Sequence, residues 1–350
     1  MAQPSAYSLN NLIRPEVPYI ASGNPEDNAS GNLSSAANPG EGSKEEDEII
    51  SEELQRLTIP YLRKQKFPGS DIQINESIAS YAKYNSYIAS YVSEGNKING
   101  LLTVPKTKMP EGGYPAVVFL HGYIPPQIYK TTERYEEYVA TLARAGLVVF
   151  KIDYRGHGSS DGLPRGAYHS SDYIFDTLNA RASLAKLHYV NKDKIGLWGH
   201  SMSGNILLRS MAVRPQIKVG VIWAGAVYTY TDLLKYDIQD SSYKPDQVPD
   251  KVREERRKMR ARVGRVFENK DFWKKVAPTS YLSELEGYVE IHHSVSDGVV
   301  PIGYSRNVSK LLQEAGIEHN LYEYETGGHN LRNPAFKKAM ERSIEAFGRM

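Results

Sequence analysis

Apolar residues along the chain form short continuous runs that alternate with stretches of helical spacing. The runs at 116–120, 147–152 and 195–198 are almost entirely apolar, as is typical of strands buried on both faces. Between them, apolar residues recur every three or four positions, which predicts helices with one buried side. The alternation therefore predicts an α/β fold with a mostly parallel sheet and helices on both faces. The other predicted strands are 219–224, 288–293 and 321–324, and the predicted helices are 131–145 (capped by Thr131 or Thr132), 173–187, 202–213, 301–315 and a last one with Phe336, Met340, Ile344 and Phe347 on one stripe.

Residues 78–104 precede these units and have a different rhythm. Side chains alternate over 87–92, a turn follows at 94–96, and a second run covers 98–104. A period of two around a polar turn predicts an antiparallel hairpin. We expect this N-terminal hairpin to lie at one edge of the sheet.

The N-terminal segment has too few apolar residues to form a core. Residues 1–43 are rich in glycine, proline, serine and asparagine, and an acidic run follows them. Such a composition predicts a disordered polar and acidic tail over 1–55, followed by one folded domain over 56–350. The tail is expected to be a solvated tether, with docking on a basic surface of its own domain as the alternative.

A second segment, about 228–278, interrupts the alternation of strands and helices. It contains a basic stretch at 250–275 with Val252, Met259, Val263 and Val266 on one helical face. This pattern predicts an amphipathic helix inserted at one end of the sheet. We expect a helical cap that shapes the entrance to a site, with a solvated helix packed on the domain as the alternative.

Composition narrows the classes of function. The 350 residues include no cysteine, which excludes disulfides, thiol nucleophiles and cysteine-ligated metal centres. A formal net charge of +2 gives no case for nucleic acid or an anionic membrane as the partner. The longest apolar run, at 219–227, is too short to span a bilayer. The first residues lack a signal peptide, so a complete chain is expected in the cytoplasm and one whose leader was removed outside it.

A candidate nucleophile lies where the run at 195–198 meets the helix at 202–213. Residues 199–204 read GHSMSG, which places Ser201 between a strand and a helix. A serine on such a tight turn presents its hydroxyl at the carboxyl end of the sheet, and small neighbours allow the turn to pack. The usual pattern has glycine two positions after the serine, whereas here Ser203 stands there and Gly204 follows.

Serine chemistry needs a base and an acid that orients the base. Asp297 follows the predicted strand at 288–293, and His329 follows the strand at 321–324. The carboxyl ends of parallel strands share one edge of a sheet, so Ser201, Asp297 and His329 are expected to meet there. Asp232, after the strand at 219–224, is the alternative acid.

The negative charge that develops on a substrate carbonyl needs two fixed N–H donors. The backbone of Met202, directly after the nucleophile, is one candidate. The other is the backbone of Tyr123, in the loop after the strand at 116–120, with the Tyr123 hydroxyl as a further donor. Gly122 before it allows a close backbone approach.

The remaining histidines carry weaker signals. His292 and His293 are adjacent on a strand and point to opposite faces, so they are expected to be structural and not metal ligands. His200 is expected to pack under the nucleophile, and His157 to line the pocket edge or support its loop. No phosphate-binding or dinucleotide motif is found in the sequence, and we expect neither cofactor nor metal.

Over about 80–350 the sequence resembles the α/β-hydrolase superfamily. More closely, it is similar to the catalytic domain of the prolyl oligopeptidase family and to its stand-alone esterase relatives. The resemblance implies a serine hydrolase with Ser201, Asp297 and His329 as nucleophile, acid and base. It is carried by His121-Gly122, the DYRGHG stretch at 153–158, GHSMSG at 199–204, PTSYL at 278–282, SDGVVP at 296–301 and the GGH stretch at 327–329.

These observations lead to one expected function with two alternatives. The leading hypothesis is hydrolysis of carboxylic esters through an acyl-enzyme, with a small-molecule substrate. An exopeptidase or amidase acting on short peptides would use the same machinery. A non-catalytic binding module on the same fold is the third reading. The oligomeric state is left open.

Overall fold

The computed structural model describes residues 44–264 and 268–350, with side chains from residue 51 onward. In this part of the chain, nine strands form one sheet and ten α-helices surround it. The strands are β1 (Gln73–Ser80), β2 (Tyr84–Ser93), β3 (Asn96–Pro105), β4 (Tyr114–Leu120), β5 (Val148–Ile152), β6 (Val190–His200), β7 (Val219–Trp223), β8 (Tyr288–Ser294) and β9 (His319–Tyr324). The helices are α1 (Lys44–Leu57), α2 (Ile59–Lys64), α3 (Glu136–Arg144), α4 (Asp172–Leu184), α5 (Ser203–Val213), α6 (Asp232–Lys235), α7 (Asp250–Val263), α8 (Lys270–Val276), α9 (Gly303–Glu314) and α10 (Ala335–Phe347).

The sheet has the order β1-β2-β3-β5-β4-β6-β7-β8-β9. Pairing is antiparallel from β1 through β3 to β5 and parallel from β5 to β9. The predicted mostly parallel sheet and its antiparallel N-terminal hairpin are therefore confirmed. Glu94 and Gly95 form the turn of the hairpin, both with positive φ.

Two apolar layers cover the two faces of the sheet. On one face, α2, α4, α5 and α9 contribute to a large buried cluster that includes Ile59, Leu207 and Leu312. On the other face, α3 and α10 pack through residues such as Leu142 and Met340. Strands β4, β5, β7 and β8 are buried along almost their whole length. Burial on both faces explains the mostly apolar sequences of β4, β5 and β7.

The start of α3 differs from the prediction. Thr131 does not cap a helix, because its hydroxyl donates a hydrogen bond to Asp153 Oδ2 (2.5 Å). The helix begins at Glu136, after Arg134 and Tyr135 adopt the left-handed conformation. The prediction of a helix from residue 131 was therefore wrong at its N-terminus, because residues 131–135 serve a loop of the site.

The N-terminal tail is shorter than predicted. Helix α1 covers residues 44–57, so 44–55 are not disordered, and Leu54 and Leu57 pack against the main core. Two leucines after the acidic run supply the apolar contact that the composition of the whole segment obscures. The rest of the predicted tail, 1–43, lies outside the described residues.

Helices α6, α7 and α8 form the insertion between β7 and β8. Val252, Met259 and Val263 of α7 are buried, as predicted for its apolar face, while Val266 lies outside the described residues. The insertion covers the carboxyl end of the sheet and contributes side chains to a cavity at Ser201. We refer to α6–α8 and their connections, residues 228–278, as the cap. Among the described helices, none is both long and apolar enough to cross a bilayer.

Candidate active site

Ser201 occupies a strained turn between β6 and α5. Its φ is 55°, a conformation that costs a non-glycine residue on the order of 1–3 kcal/mol. The turn is held from both sides, because the Ser201 N–H donates to the Trp223 carbonyl (2.9 Å) and the Ser201 carbonyl accepts from the Gly204 N–H (2.9 Å). A Cβ at Gly199 would lie 2.8 Å from the Ser203 carbonyl oxygen, so glycine is required before the turn.

The two residues that depart from the usual elbow pattern each have a structural reason. The buried Ser203 hydroxyl donates to the His121 carbonyl (2.5 Å) and accepts from the Tyr154 hydroxyl (2.8 Å). Ser203 therefore fixes the loop after β4, which a glycine could not do. Gly204 takes the close-packing role, since a Cβ there would lie 2.8 Å from Gly225 Cα.

Asp297 and His329, the predicted acid and base, lie in hydrogen-bond contact. His329 Nδ1 lies 2.8 Å from Asp297 Oδ2, and the Asp297 side chain is fully buried. The other carboxylate oxygen accepts the backbone N–H groups of Val299 (2.8 Å) and Val300 (3.0 Å). With Nδ1 protonated and bonded to Asp297, the His329 Nε2 is left with a lone pair for a substrate or nucleophile.

The Asp297 carboxyl remains ionised although it is buried. Burial by itself raises its pKa, but hydrogen bonds from His293 and His329 outweigh this effect and hold the pKa of Asp297 well below its usual range. A permanently ionised Asp297 favours the Nδ1–H tautomer of His329. Asp232, the alternative acid, instead accepts two hydrogen bonds from the Asn307 amide (2.9 and 3.0 Å).

His293 is a functional neighbour that the sequence analysis had assigned to structure alone. Its Nε2 lies 3.2 Å from Asp297 Oδ2 and 2.9 Å from the Val300 carbonyl, while its Nδ1 lies 2.7 Å from the Ser305 hydroxyl. Nε2 must carry a proton to face two acceptors. His293 lies near the end of β8, four residues before Asp297, and this spacing could have indicated a contact between the two side chains.

A chain of three hydrogen bonds joins the loops around Ser201. The Gly122 N–H donates to the Tyr135 hydroxyl (2.9 Å), which lies 2.7 Å from His200 Nδ1; His200 Nε2 lies 2.9 Å from the His329 carbonyl. One assignment satisfies all three, with Tyr135 donating to Nδ1 and a neutral His200 donating from Nε2. Burial lowers the pKa of His200 to about 3, which keeps the ring neutral. His200 packs beneath the nucleophile, as predicted.

The conformation of Tyr135 is unusual. Arg134 and Tyr135 have φ values of 63° and 60°, a left-handed pair that long and aromatic side chains seldom adopt. The pair turns the chain into α3 and carries the Tyr135 hydroxyl to Gly122 and His200. The strained backbone at Arg134 and Tyr135 thus allows Tyr135 to connect the loop after β4 to His200, next to Ser201.

The predicted oxyanion donors, Met202 and Tyr123, lie beside Ser201. Both line a cavity with the serine, and among the described residues neither backbone N–H has a hydrogen-bond partner. The Gly122 N–H, by contrast, is used by Tyr135. The Tyr123 hydroxyl is also in this cavity, and burial raises its pKa to about 12, so it stays a donor at neutral pH.

Two cavities meet at Ser201, Tyr123 and Asp240. The inner cavity, about 70 Å³, is narrow and mostly apolar, and the outer cavity, about 530 Å³, is wide and open. His329 and His200 lie on the outer cavity, while Met202 and His157 lie on the inner one. Further residues of the inner cavity are Tyr168, His169, Tyr243, Arg256 and Val300, and further residues of the outer cavity are Arg134, Tyr138, Arg332 and Phe336.

Ser201 and His329 lie on the wall of the outer cavity, but within the described residues no direct hydrogen bond joins the Ser201 hydroxyl to His329. Such contacts are commonly loose before a substrate binds. His157 lies at the pocket edge, and burial lowers its pKa to about 4. No cluster of three metal-ligating side chains occurs in the part of the chain that the structure describes.

The fold and this geometry agree with comparisons to known proteins. Residues 114–277 match the family model described as serine aminopeptidase, S33, of the Hydrolase_4 group. The chain has the fold of the α/β-hydrolases and is similar to hydrolases of this fold. The curated 2,6-dihydropseudooxynicotine hydrolase of Paenarthrobacter nicotinovorans is 26% identical over 251 residues, which cover 70% of this chain and 60% of that protein.

Solved structures share the fold at low sequence identity. Acetyl xylan esterase 1 from Thermoanaerobacterium sp. has a TM-score of 0.59 and 18% identity, covering 87% of this chain and 94% of that one. The acylaminoacyl peptidase of Pyrococcus horikoshii has a TM-score of 0.58 and 20% identity, covering 77% of this chain and 42% of that one. The chain is thus similar in fold to an esterase over most of its length and to less than half of a longer peptidase.

Proposed function

We propose that the protein hydrolyses carboxylic esters through an acyl-enzyme, with Ser201, His329 and Asp297 as the catalytic triad. His329 Nε2 takes the proton of the Ser201 hydroxyl as its oxygen attacks the ester carbonyl. The carbon–oxygen bond of the ester breaks, and the alcohol leaves with that proton. Water then repeats the sequence on the acyl-enzyme, which releases the acid and restores Ser201.

The remaining groups of the site support the charged states of this reaction. In this proposal the N–H groups of Met202 and Tyr123 bind the carbonyl oxygen as it becomes negative. Both residues line the inner cavity together with Ser201. The Asp297 carboxylate stabilises the protonated His329 ring through the 2.8 Å hydrogen bond, which is the observation that carries the proposal.

The two cavities suggest where each half of the substrate binds. Because His329 must protonate the leaving alcohol, the alcohol belongs in the outer cavity that His329 lines. The acyl group then belongs in the inner cavity. This cavity is narrow and mostly apolar, with a volume of about 70 Å³, which favours a slim, short acyl chain.

An aminopeptidase is the less favoured alternative. Such an enzyme has to bind the substrate ammonium group next to the acyl carbonyl, which calls for an available carboxylate. Asp240 is the carboxylate among the described residues of the inner cavity, and its Oδ1 already accepts from both the backbone N–H (2.9 Å) and the hydroxyl (2.6 Å) of Ser242. The cavity also holds the cation of Arg256, which would repel an ammonium group.

A fluorophosphonate label followed by peptide mapping tests the proposal. We expect one adduct, on Ser201, and hydrolysis of p-nitrophenyl butyrate that exceeds hydrolysis of alanine p-nitroanilide. Ser201→Ala is expected to abolish the adduct and to lower kcat by about 10³–10⁶-fold without unfolding the protein. The matched variant Ser309→Ala, on α9, should keep both adduct and turnover.

Each contrary result points to a different alternative. Faster cleavage of the anilide would favour the peptidase. Folded protein that neither reacts with the label nor turns over either substrate would favour a binding module on this fold.

A further inference from the structure

We propose that the inner cavity selects acyl groups that end in a carboxylate, and that Arg256 of the cap binds this carboxylate. The inference rests on the proposed function, because it assigns the acyl group to the inner cavity. It names the substrate class as short monoesters of dicarboxylic acids.

Arg256 enters the cavity wall with hydrogen-bonding capacity left over. Its Nη2 donates to the Arg165 carbonyl (2.8 Å), and its Nη1 makes a long contact with the Tyr243 hydroxyl (3.4 Å). Its Nε is buried and has no partner among the described residues. Both partners are neutral, so the positive charge has no counter-ion in direct contact. An unpaired cation in an apolar cavity is costly, and an anionic ligand removes this cost.

The acidic residues near Arg256 do not pair with it, although Glu52, Glu53 and Glu255 line a second cavity together with Arg256. Glu255, its neighbour on α7, accepts from Arg165 Nε (2.7 Å) and Nη2 (3.1 Å), and Asp172 accepts from Arg165 Nη1 (3.1 Å). Asp240, on the inner cavity itself, accepts from Ser242. No ion pair within 4 Å joins any described carboxylate to Arg256.

The other ionisable groups of the cavity do not compete with Arg256 as cations. Burial lowers the pKa of His157 to about 4 and that of His169 to about 3, and Arg256 itself contributes to the lowering at His169. Both rings are therefore neutral at pH 7. The wall otherwise consists largely of tyrosine and aliphatic side chains. One cation on an apolar wall suits an acyl chain of a few methylenes with a terminal carboxylate.

The test compares the p-nitrophenyl monoester of adipic acid with p-nitrophenyl hexanoate, which has the same chain length and no charge. We expect the wild type to prefer the adipyl ester in kcat/KM by about 10- to 100-fold, the worth of a charge-assisted contact. Arg256→Gln should remove this preference, so that the ratio of kcat/KM between the two esters falls to about one. Arg256→Lys should be intermediate. Arg253→Gln, on the exposed side of α7, is the matched control and should keep the preference.

A binding measurement separates this inference from the proposed function. Adipate titrated into Ser201→Ala by calorimetry should bind, and Arg256→Gln in that background should weaken binding by at least about tenfold. Equal rates on the two esters, or adipate affinity that Arg256→Gln does not change, would overturn the role of Arg256. If no ester were hydrolysed while adipate still bound through Arg256, the proposed esterase function would fail and the carboxylate site would stand.

Discussion

The catalytic edge and the cap both border Ser201, but they are built in different ways. By catalytic edge we mean the loops after β4, β6, β8 and β9, which carry Tyr123, Ser201, Asp297 and His329. These loops are fixed by short hydrogen bonds to backbone and to buried rings. The cap packs on the domain through buried apolar side chains such as Met259 and Val263. Partly exposed ion pairs, such as the one between Arg165 and Glu255 (2.7 Å), add to this contact.

This difference teaches where chemistry and selectivity reside. Strained turns held by several hydrogen bonds keep reacting atoms in place, which is what the chemical step requires. A helical insertion between β7 and β8 can vary in sequence without rebuilding the sheet, which suits selection among substrates. We therefore expect variants of the catalytic edge to change kcat and variants of the cap to change KM or preference.

The largest effect within this comparison is expected for Asp297→Asn. The amide cannot stabilise a protonated His329 and favours the wrong tautomer, so kcat should fall by about 10³–10⁴-fold with little change in KM. Steady-state kinetics on p-nitrophenyl butyrate measure both constants. Asp232→Asn is the matched control, and a similar loss there would mean that the acid had been misassigned.

The same variant has a pH-dependent signature in stability. Because the folded-state pKa of Asp297 is lowered, its carboxylate stabilises the fold at pH values above about 3.9, the ordinary pKa of aspartate. That contribution is lost as pH falls towards the folded-state pKa. The Tm difference between wild type and Asp297→Asn should therefore stay constant from pH 7 to about pH 4.5 and shrink as pH falls below about 4.

An intermediate effect is expected for Tyr135→Phe. The change leaves the Gly122 N–H and His200 Nδ1 without their shared partner, which should cost about 1–3 kcal/mol in the free energy of unfolding. Displacement of the oxyanion loop should lower kcat by about tenfold. Urea titration and kinetics measure the two effects, with the exposed Tyr81→Phe as control. A stability loss with unchanged kcat would show that the hydrogen-bond chain does not position the site.

The smallest effect is expected for Arg165→Gln, which removes the ion pair between Arg165 and Glu255 of the cap. The Arg165 side chain is 30% exposed, so the pairs it forms are worth little, and KM should rise by about two- to fivefold at constant kcat. In 1 M salt the wild type should approach the variant, because exposed pairs are screened. Arg257→Gln, which breaks a pair confined to α7, should leave KM unchanged. A fall in kcat for Arg165→Gln would contradict the proposal that the catalytic edge determines kcat and the cap determines KM or preference.

The strand and helix order, and the loops that bear Ser201, Asp297 and His329, were predictable from sequence. Each of these residues follows a short apolar run, and the sheet brings the ends of such runs together. The hydrogen bond between Asp297 and His329 agrees with that prediction. The oxyanion assignment to Met202 and Tyr123 stays a prediction, with both N–H groups in a suitable place.

The missed features depend on contacts that no periodicity encodes. A left-handed Tyr135 was hidden because Glu136 and the residues after it continue a helical pattern, and Thr131 offered a plausible cap that is used by Asp153 instead. His293 was read as structural because its contact with Asp297 arises from the turn between them. The sequence does not distinguish Arg256 from the other basic residues of α7, and only the packing of the cap shows that it lines the inner cavity.

The hydrogen-bond chain through His200 also has a consequence for how the enzyme acquires activity. Its contacts link positions that are 65 and 129 residues apart in sequence, from Tyr135 to His200 and from His200 to His329. Contacts between residues so far apart in sequence form late in folding, after local helices and hairpins. The site can be complete only when β4 through β9 have assembled. On dilution from denaturant, the far-ultraviolet helical signal should therefore return before esterase activity does, and turnover would report the last step of folding.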